Sequence, residues 1–355
     1  MSLEPNHQDR IARLRASLSD DQALLVTDPL NIRYLVGFTG SNGSLLVTQN
    51  EVKLATDSRY EIQSAEQTSG IVITIDRDLF GSLLGEMNCP ELVVEGKDLS
   101  VIQFHQLKQR FPKLSLTVSE DVVEKLRVIK DAYELEMISK ACEISTQALS
   151  ELPKWLTPGV TELDIAFQLE QQMRRLGADD KAFETIVAGG LNSAIPHHEP
   201  TTKVVEVGDL LKIDFGAKVA GYHSDCTRTF VVGSPSAWQR ELYDAVFNAQ
   251  AIGRAMLKPR VTFSSVVSAV TESLNFAGYG KYFSHGLGHG VGLAIHENPF
   301  FAASDHAKID KNTVITVEPG AYLPGQGGVR IEDTVVVTDD GYLNLTEFSH
   351  DLIEL

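Results

Sequence analysis

Acidic side chains lie inside segments of this chain that otherwise have the composition of buried β-strands. Asp214 interrupts the apolar run Leu210-Leu-Lys-Ile-Asp-Phe-Gly-Ala217, and Glu332 lies among β-branched residues between Val329 and Thr338. A carboxylate in such a strand costs free energy unless a partner balances its charge. Any fold of this chain therefore has to bring a cation or a proton to these carboxylates.

A hairpin is predicted next to Asp214. The segment Tyr222 to Val232 predicts the strand that returns after the turn. With the turn centred between Val219 and Ala220, Asp214 lies opposite Asp225, and opposed Cβ atoms lie roughly 4.5 to 5.5 Å apart. Two carboxylates that close in an apolar setting repel each other unless a proton or a cation lies between them. A solvated pair on an exposed hairpin is the alternative, and a one-residue bulge would change the register.

A glycine-rich segment contains three histidines. In Ser284-His-Gly-Leu-Gly-His-Gly-Val-Gly-Leu-Ala-Ile-His-Glu297 they are His285, His289 and His296. Glycines permit positive φ and close backbone approach, so the segment disfavours a helix and suits a loop that directs imidazoles into a cavity. A single histidine is more often a satisfied core residue than a ligand, but three in one short segment favour a functional site.

Two glutamates belong to strands near the end of the chain. Pro319-Gly320 stops the first strand and leaves Glu318 at its carboxyl end. Along the second strand, alternation places Arg330 and Glu332 on one face and Asp333 on the other. A salt bridge between Arg330 and Glu332 is the purely structural alternative to a site.

Charge balance connects these residues. The carboxylates of Asp214, Asp225, Glu318 and Glu332 carry four negative charges, which two divalent cations would balance. His289 would add a nitrogen ligand, and shared carboxylates would bridge two ions at the roughly 3.5 to 4 Å spacing of two-metal hydrolases. Oxygen ligands with one imidazole and no thiolate suit Mn²⁺, Co²⁺ or Zn²⁺ better than a soft metal. We expect two divalent metal ions, with Mn²⁺ preferred and Co²⁺ or Zn²⁺ as alternatives.

The chain divides into two predicted domains, because 355 residues are about twice the usual domain length. Over residues 1–123, short apolar strands alternate with helical patterns, which predicts an α/β domain. From Glu124 to Ala148, apolar residues recur every three or four positions, which predicts one long amphipathic helix. Beyond it, helices and mainly antiparallel strands are segregated, which predicts an α+β domain over residues 124–355.

Composition excludes several classes of function. Lys and Arg number 31 and Asp and Glu 48, a net charge of −17 that argues against a nucleic-acid partner. Cys89, Cys142 and Cys226 are an odd, widely spaced set, which argues against a disulfide framework and fits a reducing compartment. No segment has the apolar length of a membrane span or of a signal peptide. We expect a cytoplasmic chain with no membrane partner.

These segments resemble the pita-bread metallopeptidases, the superfamily of methionine aminopeptidase, prolidase, aminopeptidase P and creatinase. In that superfamily the metal ligands run Asp, Asp, His, Glu, Glu, and all five places are filled here within DFGAKVAGYHSD, SHGLGHGVGLAIHE, VEPG and GGVRIED. The resemblance implies an α+β pita-bread catalytic domain preceded by a smaller α/β creatinase-like domain. It implies the metal ligands Asp214, Asp225, His289, Glu318 and Glu332.

The first domain is similar to that of the proline-specific branch. Methionine aminopeptidase is therefore a distant alternative, since that enzyme is usually a bare catalytic domain, and the intact ligand set argues against a non-catalytic peptide-binding relative. Residues 34–43 and 56–60 are more similar to aminopeptidase P than to prolidase, whereas the short first domain leaves prolidase open. The resemblance implies an Xaa-Pro aminopeptidase, with Xaa-Pro dipeptidase as the alternative. Its substrates would be small peptides with proline second, and a homodimer is expected.

The resemblance also implies roles for residues beside the ligands. His197, in Ala194-Ile-Pro-His-His-Glu-Pro200, matches a histidine near the proline side of the substrate. His285 and His296 match histidines that contact the substrate or stabilise the intermediate. Arg330 matches an arginine that braces the ligands and the substrate.

Glu318 is expected to have a second role as the general acid/base, taking a proton from the attacking water and passing it toward the proline nitrogen. His198 adjoins His197 and leaves that assignment open between the two. Otherwise we expect His198 and His223 at the surface, and residues 57–60 in an ordinary turn between a strand and a helix.

Overall fold

A computed structural model describes residues 3–355 of the chain. They form two compact units, one comprising Glu4–Arg127 and the other built on Val128–Leu355. Within the described range, no helix combines the length and the hydropathy that crossing a membrane requires. The boundary between residues 123 and 124 stays a proposal.

The first unit contains a mixed six-stranded sheet covered by helices. Its strands are β1 (Gln22–Val26), β2 (Gly43–Val47), β3 (Val52–Thr56), β4 (Val72–Ile75), β5 (Glu91–Glu95) and β6 (Ser115–Ser119). Its helices are α1 (His7–Arg15), α2 (Pro29–Val36), α3 (Glu61–Gln67), α4 (Leu79–Leu84), α5 (Val101–Arg110) and α6 (Val122–Val128), the last of which ends at the boundary. The strand order is β4-β3-β2-β1-β5-β6, and apolar side chains of β1 and β5 pack against α4 and α5.

The second unit combines four long helices with short, mainly antiparallel strands. The helices are α7 (Ala132–Leu149), α8 (Glu162–Arg175), α9 (Ala237–Ala255) and α10 (Phe263–Phe276). The first strands are β7 (Asp180–Lys181), β8 (Ile186–Gly189), β9 (Leu210–Phe215), β10 (Ala217–Val219), β11 (Tyr222–His223) and β12 (Cys226–Val231). The later strands are β13 (His289–Gly290), β14 (Glu297–Phe300), β15 (Val314–Val317), β16 (Gly320–Leu323), β17 (Gly327–Arg330), β18 (Asp333–Val337) and β19 (Tyr342–Asn344).

Two hydrophobic cores hold these strands in place. In one core, α7 and α8 pack against β8, β9 and β12 through residues such as Ile165, Leu169 and Ile213. In the other, α9 and α10 pack against β15 to β18 through residues such as Val246 and Val317. The helices cover the apolar side of each layer, and polar residues in or next to β9, β12, β15 and β18 line a common site on the other side.

The long helix predicted from Glu124 is in fact two helices. Asp131 caps α7 in a capping box: it accepts a hydrogen bond from the Glu134 N–H at 2.9 Å, and its own N–H donates to Glu134 Oε2 at 3.0 Å. Just before it, the Lys130 N–H donates to the Asn312 carbonyl at 3.0 Å, and Ile129 forms a β-bridge. The prediction was wrong because the apolar period continues through Ile129, whereas its backbone pairs with a distant segment.

The predicted strand 329–338 is likewise divided. β17 pairs with β16, and β18 pairs with β15 in another sheet. The break falls at Ile331 and Glu332, where the Glu332 N–H donates to the Thr227 carbonyl at 3.1 Å. Glu332 therefore lies at a change of sheet instead of inside one regular strand.

The hairpin register also differs from the prediction. The turn is centred between Ala220 and Gly221, both at positive φ (47° and 80°), and Asp214 pairs with Thr227. Asp225 therefore does not lie opposite Asp214. It lies two residues before Thr227, diagonally across the ladder, and the two aspartates still share one face of the sheet.

Candidate metal centre and active site

One cavity of about 410 Å³ in the second unit gathers most of the predicted site residues. Its walls include the five expected metal ligands, Asp214, Asp225, His289, Glu318 and Glu332. They also include the three expected substrate histidines, His197, His285 and His296. Phe183, Ile186 and Phe300 give the cavity an apolar side.

Local backbone structure explains how the acidic residues reach this cavity. Asp214 belongs to β9, and Asp225 lies in a break between β11 and β12. The break needs Gly216, because a Cβ there would lie 1.9 Å from the Ser224 carbonyl oxygen. Glu318 follows β15, and its N–H donates to the Leu287 carbonyl at 2.8 Å, which ties it to the histidine-bearing segment.

His289 presents an unprotonated nitrogen to two carboxylates. Its Nδ1 lies 3.1 Å from the Gly290 carbonyl, and since a carbonyl only accepts, Nδ1 carries the hydrogen. Burial lowers the pKa of His289 to about 4, so the ring is neutral at pH 7. Its Nε2 lies 3.5 Å from Asp225 Oδ2 and 3.4 Å from Glu318 Oε1. Three atoms with lone pairs thus face one another, an arrangement that a cation between them would relieve.

The carboxylates of the cavity wall repel one another. Burial, together with the charges of Glu332, Asp214 and Glu318, raises the pKa of Asp225 well above its ordinary value. Burial and the charges of Glu318 and Asp214 have the same effect on the pKa of Glu332. Burial raises the pKa of Glu318 to about 7, against the opposing charge of Arg330. The single charge of Arg330 does not balance four carboxylates, so further positive charge in the cavity would stabilise them.

The donor set fits divalent cations. The ligand atoms of Asp225, His289 and Glu332 all lie within 4.8 Å of one another. Asp214 Oδ1 is buried and has no hydrogen-bond partner among residues 3–355. Carboxylate oxygens with one imidazole nitrogen suit Mn²⁺, Zn²⁺ or similar ions.

Arg330 is paired with Asp214 and not with Glu332. Its guanidinium forms a buried ion pair with Asp214 Oδ2, and its Nε donates to Thr227 Oγ1 at 3.0 Å. The Thr227 hydroxyl in turn donates to Glu332 Oε2 at 2.6 Å. The purely structural salt bridge between Arg330 and Glu332 is therefore ruled out, and Thr227 links the arginine to the glutamate.

A second chain of hydrogen bonds runs from Arg330 to His285. Arg330 donates to the Tyr322 hydroxyl at 2.7 Å, and Tyr322 O–H lies 2.8 Å from His285 Nε2. His285 Nδ1 donates to the Gly286 carbonyl at 2.8 Å, so Nε2 accepts from Tyr322. Burial and the nearby Arg330 charge lower the pKa of His285 to about 4. This neutral ring lies beside the carboxylate of Glu318, with 3.9 Å between Nδ1 and Oε2.

The other two expected substrate histidines differ in their surroundings. The His296 ring meets the His289 ring edge to face, with centroids 4.4 Å apart. Burial lowers the pKa of His296, and the positive charge of His197 has a smaller effect in the same direction. His197 is exposed at the cavity wall.

Two histidines predicted at the surface are buried. His198 Nε2 lies 2.9 Å from Glu162 Oε2, and His223 Nδ1 lies 3.0 Å from the Gly292 carbonyl. The prediction was wrong because the acceptors come from elements far along the chain. Residues 57–60 do form the predicted turn, in which Asp57 caps a short 3₁₀ helix after β3.

Sequence reasoning missed Thr227 and Tyr322. The observed hairpin register, had it been predicted, would have placed Thr227 opposite Asp214. Tyr322 carried no such signal, because its partner His285 is 37 residues away and the contact depends on tertiary packing.

Replacing Asp225 by asparagine is expected to stabilise the metal-free protein. The substitution removes one of the four mutually repelling charges, a gain on the order of 1 to 3 kcal/mol. The same change should abolish stabilisation by Mn²⁺, because a ligand is lost. Thermal unfolding with and without Mn²⁺ measures both effects, with D244N at the exposed Asp244 as the control. A D225N protein that melts lower than wild type without metal would contradict this account of the charges.

Comparison with known proteins identifies the family. Residues 136–339 match the metallopeptidase family M24, and residues 10–129 match the creatinase/prolidase N-terminal domain. The chain belongs to metallopeptidase family M24. The prediction of a creatinase-like N-terminal domain followed by a pita-bread catalytic domain is thereby confirmed, and the family is one of metal-dependent peptidases.

Several relatives match this M24 chain over nearly its whole length. An Xaa-Pro dipeptidase of Pyrococcus furiosus is 38% identical, with 93% of this chain and 94% of that protein covered. The structure of an Xaa-Pro dipeptidase from Bacillus anthracis is similar with a TM-score of 0.95 at 35% identity, covering 99% of this chain and 100% of that one. The structure of an X-Pro aminopeptidase from Thermotoga maritima is similar with a TM-score of 0.90 at 34% identity, covering 98% and 100%.

Proposed function

We propose that this chain hydrolyses the peptide bond before proline in small peptides. The observation that carries the proposal is the convergence of the five expected metal ligands and three further histidines on one cavity, in a chain that resembles Xaa-Pro peptidases over nearly its whole length. An Xaa-Pro bond is a tertiary amide whose nitrogen is held in a ring and has no N–H. A site that supplies its own strong nucleophile suits such a bond.

Two divalent cations are the proposed cofactors, with Mn²⁺ preferred over Co²⁺ and Zn²⁺. Asp225, His289 and Glu332 would hold one ion, while Asp214 and Glu318 on the same wall supply the remaining charge for two. Divalent cations held there would lower the pKa of water from about 15.7 to near 7 and would polarise the peptide carbonyl.

The protein's own residues would then direct the reaction. Glu318 is the proposed general acid/base, taking a proton from the attacking water and delivering it to the proline nitrogen as the bond breaks. His296 is the proposed donor to the developing oxyanion. His285, the other expected candidate, has both ring nitrogens engaged, Nδ1 with the Gly286 carbonyl and Nε2 with the Tyr322 hydroxyl, so its proposed role is contact with the substrate. His197 would contact the proline side of the substrate, and Arg330 would fix Asp214 and, through Tyr322, the ring of His285.

The length of the preferred peptide separates two candidate functions. Two relatives named Xaa-Pro dipeptidase are 35% and 38% identical to this chain, which supports dipeptides as its substrates. We therefore propose a dipeptidase before the aminopeptidase that was preferred from the sequence. The similarity to an X-Pro aminopeptidase keeps longer peptides as the second candidate. A homodimer and a cytoplasmic location stay predictions.

Comparing Ala-Pro with Ala-Pro-Ala, on protein first treated with chelator and then supplied with Mn²⁺, tests both readings. A dipeptidase should hydrolyse Ala-Pro and leave the tripeptide intact, whereas an aminopeptidase should favour the tripeptide. Ala-Ala serves as the control for proline specificity. Protein that cleaves neither proline peptide with any of the three metals, yet is folded, would favour the remote alternative of a non-catalytic peptide-binding protein and overturn the proposal.

A further inference from the structure

The segment between β8 and Thr201 carries His197 at the cavity wall. Apart from one 3₁₀ turn, this segment has no regular secondary structure. That turn covers Gly190–Ala194, and His197 follows it on an exposed stretch of backbone. A catalytic contact on such a segment is precise only if the flanking residues are held. The structure holds them from two sides.

Glu162, the first residue of α8, binds both ends of the segment. It is fully buried. Its Oε1 accepts hydrogen bonds from the Gly189 N–H at 2.8 Å and from Asn192 Nδ2 at 2.9 Å. Its Oε2 accepts from the N–H and the hydroxyl of Thr201, at 3.0 and 2.7 Å. A buried carboxylate with this many donors acts as a fixed anchor for the backbone around it.

His198 extends this anchor to the residue beside His197. His198 Nε2 lies 2.9 Å from Glu162 Oε2, and since the carboxylate only accepts, Nε2 carries the hydrogen. His198 is buried while His197 is exposed at the cavity wall. The two neighbouring rings thus lie in opposite environments, one held by the protein and one available to a ligand.

On the other side of His197, two basic side chains hold the Pro196 carbonyl. Lys212 Nζ and an Arg330 guanidinium nitrogen each donate to it at 3.1 Å, and Lys212 also donates to the Ile195 carbonyl at 2.6 Å. His197 is therefore flanked by two residues whose positions are fixed independently: Lys212 and Arg330 hold Pro196, and the Glu162 carboxylate holds His198.

We propose that Glu162 and His198 are positioning residues that set the place of His197 in the cavity. This inference rests on the proposed function, in which His197 contacts the substrate. Neither residue reaches the reacting atoms: each acts through the backbone that carries His197. Because displacements near 1 Å can cost about a hundredfold in rate, loss of one anchor should reduce catalysis measurably.

A matched pair of variants at His198 tests the proposal. H198Q keeps an N–H donor within reach of Glu162, whereas H198L removes it at similar size. We expect H198L to lower kcat/KM for Ala-Pro roughly tenfold, with the same division between kcat and KM that H197A shows, and H198Q to stay within about twofold of wild type. Metal content should equal that of wild type in both.

The decisive readout is the double variant. If His198 acts through His197, adding H198L to H197A should lower kcat/KM by less than about twofold beyond H197A alone. Equal losses in the two backgrounds would overturn the positioning role and leave the peptidase activity standing. Wild-type protein that fails to cleave any Xaa-Pro peptide would overturn the proposed function as well, so the two failures are distinguishable.

The E162Q variant provides an independent measurement. In E162Q an NH₂ group replaces one carboxylate oxygen and faces N–H or O–H groups that also donate. The hydrogen bonds to that oxygen are therefore lost together. We expect faster hydrogen exchange at the Gly189 and Thr201 amides in E162Q than in wild type. In H198L, exchange at the Thr201 amide should increase by less than it does in E162Q. Unchanged protection of these amides in E162Q would contradict the anchor.

Discussion

Substitution of Glu318 by glutamine is expected to lower kcat for Ala-Pro hydrolysis by about a thousandfold or more. The substitution removes both the general acid/base and one negatively charged ligand of the proposed metal site. General acid/base catalysis alone contributes roughly 10² to 10⁴ in rate. The glutamine also withdraws a negative charge from the wall that faces His289 and His285, whose nitrogens lie 3.4 and 3.9 Å from the Glu318 oxygens. Steady-state kinetics with Ala-Pro and saturating Mn²⁺ measure the effect.

The control for this prediction is E143Q, the same chemical change at an exposed position of α7. E143Q should retain wild-type kinetics. E318Q should melt no lower than wild type without metal, since it removes a charge that burial and its neighbours disfavour. An E318Q protein within tenfold of wild-type kcat would remove Glu318 from the catalytic scheme.

Removal of bound metal is expected to abolish activity and to lower the melting temperature. Without cations, the carboxylates of Asp214, Asp225, Glu318 and Glu332 lie together in a buried wall, and Arg330 forms an ion pair with Asp214. Repulsion of this kind opposes folding, and ligand binding adds stability in proportion to its affinity and concentration. Dialysis against a chelator, followed by calorimetry and a peptide assay, tests both consequences.

Adding back Mn²⁺ should restore both activity and melting temperature. D225N, treated in the same way, is the matched control and should respond to neither chelator nor metal. Full activity after exhaustive chelation would mean that the cavity works without cations. The carboxylates would then not be metal ligands required for activity.

Much of the site could be predicted from sequence because its signal is local. Carboxylates in apolar strands, such as Asp214 and Glu332, are conspicuous wherever the strand lies, and glycines around His289 mark a close approach. The structure brings all five expected ligands to one cavity. The turn at residues 57–60 likewise forms as predicted, since capping is a property of a short segment.

Features set by distant contacts could not be predicted. The hairpin turn depends on Ala220 adopting a positive φ, which an alanine does not signal. The break before α7 depends on the pairing of Ile129 with Thr313. His198 is buried because it contacts Glu162, which lies 36 residues away in the sequence. Arg330 likewise pairs with the distant Asp214, although Glu332 is only two residues away in the sequence.

The number of divalent cations bound per chain tests the central claim most directly. Protein reconstituted with Mn²⁺ and freed of excess metal should contain two ions per wild-type chain by elemental analysis, and none in D225N. Wild-type protein that cleaves Ala-Pro while holding no stoichiometric metal would contradict the account.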